Sequence, residues 1–130
     1  MFRSLLPLLC VLAVLTLGCG SKSPTPRSVQ GEVTVNKTPL ADGEVFFILE
    51  GRPPQIATVK DGKFSGQAFE GKNRVEIRGY RPARPVVMDG KVINEGSKEN
   101  YLPSRYNTES TLKEDVTASG PNEFKFAITK

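Results

Sequence analysis

The stretch IATVKDGKFSGQAF at residues 56–69 decides the fold, because it places two strand-like runs on either side of the dipeptide Asp61-Gly62. Asp-Gly is a preferred pair for the positive φ angles of a type I′ turn, which joins two antiparallel strands directly. We therefore predict a β-hairpin in which residues 56–59 pair with the run 63–69.

Five further runs contain the β-branched and aromatic residues that are typical of strands, and most of them alternate with a period of two. They lie at residues 29–35, 44–50, 74–78, 112–117 and 123–129. The run 44–50 is apolar without alternation, which predicts a strand covered on both sides or lying at a sheet corner. The run 74–78 alternates, so we expect Val75 and Ile77 to face inward and its charged residues to face water.

Seven short strands and no convincing helix predict an all-β fold, a single seven-stranded Ig-like or prealbumin-like β-sandwich. A chain of 130 residues is long enough for one such domain. Its core is expected to contain Phe47, Val75, Ile77, Phe124 and Phe126.

Residues 80–110 form a segment longer than the roughly 12 to 15 residues of typical unstructured connections. Within it, the run VVMDGKVI at residues 86–93 predicts a small hairpin of its own. Residues 101–107 carry apolar side chains that could anchor the segment to the sandwich. By default, this segment is the predicted functional surface.

The N-terminus has the three parts of an export signal, namely Arg3, an apolar stretch at residues 5–17, and Gly18 just before Cys19. The stretch is shorter than the roughly 20 apolar residues of a membrane-spanning helix. The pattern resembles the lipobox of bacterial lipoproteins, although Thr16 stands where leucine is usual. It predicts a signal peptide at residues 1–18 and a diacylglyceryl group, with acyl chains such as palmitate, on Cys19. The alternative is an ordinary signal peptide, or an uncleaved anchor in which Cys19 is incidental.

Residues 19–27 would then be the lipidated cysteine and a polar, proline-containing tether, followed by the folded domain at residues 28–130. Removal of Cys10 with the signal leaves no thiol for a disulfide. The predicted location is the bacterial cell envelope, with the chain lipid-anchored to a membrane. Gly20 after the cysteine favours the outer membrane or a periplasm-facing position, by resemblance to lipoprotein sorting signals.

The chain contains no histidine, which removes the usual general base, the common catalytic triads and the commonest metal ligand. Glu114 and Asp115 are adjacent carboxylates, but neighbours in a strand point to opposite faces. No spacing resembles a calcium-binding loop. We therefore predict a protein that is not an enzyme, with no catalytic residue, no metal site and no cofactor. A net charge of +4 is only mildly basic, and Tyr80 is the only aromatic residue interleaved with the basic stretch. Both observations argue against nucleic acid as a partner.

Two groups of side chains are candidates for ligand contact. Tyr101, Arg105 and Tyr106 could form a stacking platform for a sugar or a peptide, or they could simply cover an edge of the sandwich. Arg74 and Arg78 belong to the densest basic stretch, which could attract an anionic partner. Ion pairing with the intervening Glu76 explains those two arginines without any ligand.

Several motifs resemble one bacterial family. They are GEVTVN at residues 31–36, LADGEVFF at 40–47, DGKF at 61–64, LPSRYN at 102–107, STL at 110–112 and NEFKF at 122–126. Together they are similar to short bacterial lipoproteins with a carboxypeptidase regulatory-like domain. The resemblance implies a transthyretin-like sandwich that is an accessory module without a catalytic centre. A hydroxyisourate hydrolase shares that fold, but it depends on histidines and on a C-terminal Tyr-Arg-Gly-Ser sequence that this chain lacks.

The sequence thus predicts a membrane-anchored envelope lipoprotein whose non-catalytic β-sandwich is a protein-interaction or structural module. A carbohydrate-binding module at the cell surface is the alternative, and a surface hydrolase is a third possibility. Whether the partner besides the membrane is an envelope protein or a glycan stays open at this point, as does the oligomeric state.

Overall fold

The computed structural model describes Gly18 and residues 23–130, so residues 1–17 of the predicted signal peptide, Cys19 and the first residues of the predicted tether lie outside the described residues. The described part is all-β, which confirms the predicted fold class. It contains eleven strands and a single 3₁₀ turn at Ser104–Tyr106. The strands are β1 (Pro26–Val35), β2 (Thr38–Pro39), β3 (Asp42–Ile48), β4 (Gln55–Lys60), β5 (Lys63–Phe69), β6 (Gly71–Pro82), β7 (Val87–Met88), β8 (Lys91–Val92), β9 (Lys98–Asn100), β10 (Lys113–Val116) and β11 (Glu123–Ile128).

The seven predicted strands form one curled sheet in the order β10-β6-β3-β4-β5-β1-β11. Neighbouring strands along this path are antiparallel, except that β1 and β11 are parallel. The curl brings its two halves face to face, since the ring of Phe47 on β3 lies 5.8 Å from Phe124 on β11 and 6.2 Å from Phe64 on β5. The predicted count of seven strands is wrong because β2, β7, β8 and β9 add four. Each has only two or three residues, too few for a period of two to identify.

The hairpin predicted at Asp61-Gly62 is confirmed. Val59 pairs with Phe64, and Asp61 and Gly62 have φ angles of 49° and 80°, as a type I′ turn requires. The turn is tied to the rest of the fold, because the Gly62 N–H donates to the Leu40 carbonyl over 2.7 Å. This contact fixes the hairpin against the connection between β2 and β3.

The core lies between the two halves of the sheet and includes all five residues predicted for it. Its fully or nearly fully buried side chains are Val29, Val33, Leu40, Val45, Phe47, Ala57, Val59, Phe64, Ala68, Val75, Ile77, Leu102, Val116, Phe124, Phe126 and Ile128. Burial of apolar surface is the main stabilising term in such a sandwich, where no disulfide is formed among the described residues.

Strand β3 was predicted to be covered on both sides or to lie at a sheet corner, and the first of these alternatives is wrong. It alternates, with Val45 and Phe47 buried and Phe46 and Ile48 half-exposed on the outer face of the sheet. The guanidinium of Arg78 lies 4.7 Å from the centroid of the Phe46 ring. An arginine therefore covers the outer aromatic side chain, where the sequence suggested a second protein layer.

Strand β6 faces Val75 and Ile77 inward, as predicted, but Glu76 is not open to water. Its side chain is 10% exposed, and its carboxylate lies 3.0 Å from Arg74 and 3.7 Å from Arg78. The two flanking arginines thus pair with Glu76 and cover it. The predicted ion pairing of this basic stretch is confirmed, and the prediction that Glu76 faces water is wrong.

The N-terminal strand begins earlier than the sequence suggested. Pro26 and Arg27, which the prediction placed in the tether, pair with Phe69 and Ala68 of β5. Arg27 also forms a salt bridge of 3.0 Å with Glu70. Proline is accepted at the first position of a strand, because no ladder hydrogen bond from its nitrogen is needed there.

The strand pairings give the sandwich two distinct ends. At one end, the proximal end, Pro26 opposite Phe69 marks the start of β1, and Gly71 starts β6 nearby. At the other, the distal end, Val35 lies opposite Ile128. Strand β6 runs from the proximal to the distal end over 12 residues, which span roughly 36 Å at about 3.3 Å per residue.

Candidate functional site

The predicted functional segment extends from the distal end of the sandwich. After Pro82 at the end of β6, the chain forms the β7–β8 hairpin and returns through β9, where Asn100 pairs with Tyr80. Leu102 then anchors the return within the core, where it is 6% exposed. The segment is therefore ordered, and it lies opposite the end at which the chain enters.

The hairpin at residues 86–93 is built from its own backbone. Val87 pairs with Val92, and Asp89 and Gly90 have φ angles of 51° and 74° at the turn. Asn94 closes the base, since its side-chain oxygen accepts a 2.7 Å hydrogen bond from the Val86 N–H. The Asn94 side-chain nitrogen donates to the Arg84 carbonyl, also over 2.7 Å.

Apolar side chains cover both faces of this hairpin and lie open to solvent. Val87 is 60% exposed and Met88 is 59% exposed, although neighbours in a strand point to opposite faces. An isolated two-stranded hairpin is at best marginally stable in water. Clusters of exposed apolar side chains are uncommon on soluble proteins, and large ones mark sites of interaction with a protein or a membrane. The hairpin is consequently the strongest candidate for a binding surface among the described residues.

The three predicted contact residues, Tyr101, Arg105 and Tyr106, all lie at the distal end. The guanidinium of Arg105 lies 4.8 Å from the centroid of the Tyr106 ring. The ammonium group of Lys130 lies 4.8 Å from the centroid of the Tyr101 ring, and Arg81 lies at 5.6 Å from it. Cations thus already contact both tyrosine rings, and both rings pack against the core.

The hydroxyl of Tyr106 links the 3₁₀ turn to the end of the chain's last strand. It accepts a 3.1 Å hydrogen bond from the Thr129 N–H and lies 3.2 Å from both the carbonyl and the hydroxyl oxygen of Thr129. Arg105 donates to the same Thr129 carbonyl. Hydrogen bonds from the Thr129 hydroxyl and backbone, and then from Arg105, lower the pKa of Tyr106 to about 8.

Sequence reasoning missed three members of this cluster, Arg81, Thr129 and Lys130. Arg81 and Thr129 are far from Tyr101 and Tyr106 along the chain, and only the register of β9 and β11 brings them close. The sequence contains no local signal for such contacts. The cluster is held by internal partners, which fits the interpretation that the tyrosines cover an edge of the sandwich.

The carboxylates do not form a pair suited to acid–base chemistry. Glu114 is half-buried and Asp115 is exposed, in agreement with opposite faces of β10. Desolvation and then the nearby charge of Asp115 raise the pKa of Glu114. Among residues 23–130, no group of three or more potential ligands from Cys, Asp and Glu is placed to hold a metal ion.

No helix in the described part of the chain is long and apolar enough to cross a membrane. Comparison with models of protein families, with curated proteins and with solved structures finds no significant match to this chain.

Proposed function

We propose that this protein is a lipid-anchored envelope protein whose β-sandwich is a non-catalytic protein-binding module. One observation carries the proposal. The chain enters the sandwich at the proximal end, while the apolar hairpin at residues 86–93 extends from the distal end. An anchor on Cys19 would hold the proximal end at the membrane and leave the hairpin available to a partner.

A binding role fits the chemistry of the chain better than a catalytic role. The sequence has no histidine, and Cys19 would be consumed by lipid attachment. A surface hydrolase would need a nucleophile or a paired acid and base, and Glu114 and Asp115 face opposite sides of their strand. The hairpin, by contrast, offers apolar surface, which is what a protein–protein contact buries.

Carbohydrate recognition at Tyr101, Arg105 and Tyr106 is the second candidate, favoured by the position of this cluster at the distal end, where Arg105 is exposed and both tyrosines are half-buried. A sugar stacks on a free aromatic face, however, and cations already lie within 4.8 Å of the centroids of both rings. A glycan would have to displace Arg105 or Lys130. We therefore place the protein-binding hairpin first.

Affinity capture from envelope extract tests the proposal. The wild-type protein is compared with a variant carrying Val87→Ser, Met88→Ser and Ile93→Ser, and with Ile56→Ser as the matched control, since Ile56 is 53% exposed on β4. We expect a protein captured by the wild type and by the control to be lost with the triple variant. Equal capture of that protein by the wild type and by the triple variant would contradict the proposal.

A glycan array probed with wild type and Tyr106→Ala separates the second candidate. Binding to a glycan that disappears with Tyr106→Ala but persists with the hairpin variant would favour carbohydrate recognition. Turnover of an ester, peptide or glycoside by pure protein would overturn the non-catalytic assignment.

A further inference from the structure

The hairpin at residues 86–93 carries most of the exposed large apolar side chains of the described chain. Of the six large apolar side chains that are exposed there, five belong to this hairpin, namely Val86, Val87, Met88, Val92 and Ile93. Exposure of these side chains to water is unfavourable, and a partner that covers them would remove them from water.

A hollow of about 270 Å³ lies at the base of the same hairpin. Pro82, Ala83, Pro85 and Val92 are among the residues that line it. Its lining is largely apolar, so it is suited to an apolar side chain. The tip of the hairpin therefore presents apolar side chains and its base presents an apolar recess, as a self-complementary surface requires.

Four charged side chains lie along the hairpin in an order that is also self-complementary. Arg84 lies before β7 at the base and Asp89 lies in the turn at the tip, while Lys91 starts β8 near the tip and Glu95 follows β8 at the base. No salt bridge joins any of these four to another of the described residues. Along each arm of the hairpin, the charge near the tip is opposite to the charge at the base.

We propose that this hairpin binds the same hairpin of a second copy of the chain, in an antiparallel two-fold arrangement. This inference rests on the proposed function, since it names the partner of the proposed binding surface. In that arrangement the tip of each hairpin lies against the base of the other. Asp89 then faces Arg84 of the second copy, and Lys91 faces its Glu95.

The charges on the hairpin do not favour an anionic surface as the partner. The four side chains carry two positive and two negative charges, so the hairpin has no net attraction to acidic lipid or to an acidic protein. A contact of this size would bury on the order of 500 Å² per copy, at the low end of specific interfaces. We therefore expect a weak dimer, whose detection requires cross-linking.

Cross-linking of the full chain in bacterial membranes tests this inference. Val87→Cys places a thiol near the centre of the two-fold contact, and a short thiol-to-thiol cross-linker joins two such positions. Ile56→Cys is the matched control, because Ile56 is 53% exposed and Val87 60% exposed. Wild type gives the background from its own cysteines. We expect a product of twice the chain mass that is several-fold more abundant with Val87→Cys than with the control.

A charge exchange provides the second measurement. In the Val87→Cys chain, Lys91→Glu alone or Glu95→Lys alone would place like charges together and lower the dimer yield roughly tenfold, the effect of about 1.4 kcal/mol. The double variant Lys91→Glu with Glu95→Lys should restore the yield.

The outcomes distinguish this inference from the proposed function. A cross-linked product at Val87→Cys of any mass other than twice the chain would overturn the second copy as partner and leave the binding module in place. Equal yields of cross-linked dimer for Val87→Cys and Ile56→Cys would also overturn the two-fold pairing. A dimer yield of the double charge variant as low as that of the single variants would do the same.

Discussion

The backbone N–H of Glu70 donates a 2.9 Å hydrogen bond to the carbonyl of Thr25. This bond lies just before the first strand and just after β5, so it fixes the direction from which the N-terminal segment enters. Arg27 reinforces the same point through its 3.0 Å salt bridge to Glu70. The entry is thereby held at the proximal end, and the hairpin at residues 86–93 is left at the distal end.

Truncation of Phe126 tests the register of the last strand. Phe126 is 6% exposed, and its ring centroid lies 6.1 Å from that of Phe64. Phe126→Ala should lower the free energy of unfolding by about 3 to 5 kcal/mol, because it leaves a cavity in the core. Urea unfolding of a chain that begins at Ser23 measures it. Ile56→Ala, at an exposed position, is the control and should change stability by about 0.5 kcal/mol or less. Similar midpoints for the two variants would show that the assigned core face is wrong.

Removal of the Glu76 charge tests the ion pairs on the outer face of the sheet. Glu76→Gln leaves Arg74 and Arg78 without their partner and should cost about 1 to 2 kcal/mol, since both arginines are more than a third exposed and can turn to water. Glu99→Gln removes an exposed partner of Arg81 and should cost less than about 1 kcal/mol. We expect a lower unfolding midpoint for Glu76→Gln than for Glu99→Gln. The reverse order would show that Arg74 and Arg78 do not stabilise the Glu76 carboxylate.

Ionisation of Tyr106 is expected at lower pH than that of an ordinary tyrosine. The hydrogen bonds from Thr129 and Arg105 lower its pKa to about 8, whereas burial first and Glu44 second raise the pKa of Tyr80. Because the pKa in the folded state lies below the unfolded value, the ionised phenol favours folding above pH 8, and this contribution is lost as the pH falls through about 8. Ultraviolet difference spectroscopy should show a tyrosinate transition near that pH that Tyr106→Phe abolishes. Persistence of the transition in Tyr106→Phe would assign it to another group.

Substitution of Gly31 tests the parallel contact between β1 and β11. A Cβ atom at this position would lie 1.8 Å from the Phe124 carbonyl oxygen, so the two strands would have to separate. Gly31→Ala should cost at least about 3 kcal/mol, because the clash involves backbone that cannot simply rotate away. Gly90→Ala is the control, with a φ of 74° but no atom within 4 Å, and should cost only about 1 kcal/mol. A Gly31→Ala protein as stable as wild type would contradict the β1–β11 pairing.

The sequence was sufficient for the elements whose signals are local. The Asp61-Gly62 turn and the small hairpin at residues 86–93 follow from turn chemistry, and the inward face of Phe124 and Phe126 follows from a period of two. The sequence was insufficient where long-range pairing decides the environment. Phe46 is covered by Arg78 from the neighbouring strand, an environment that its apolar neighbours in sequence do not indicate.

The candidate site likewise has one feature that the sequence predicts and others that depend on long-range contacts. The segment that carries it could be chosen from its length and its position between two strands. The contacts of Tyr101 with Arg81 and Lys130, and the apolar hollow at the base of the hairpin, depend on how β6, β9 and β11 meet at the distal end. No pattern within residues 80–110 contains that information.

We propose that a lipid on Cys19 holds the proximal end of the sandwich at a membrane. Attachment by two or three acyl chains would be stable, since each buried methylene contributes about 0.8 kcal/mol and a single chain binds only marginally. Mass spectrometry of the N-terminal peptide from membrane-extracted protein tests the claim most directly, with Cys19→Ser as the control that should lack the modification. We expect a mature N-terminus at Cys19 that carries a diacylglyceryl group. An unmodified N-terminus at another residue would contradict the account.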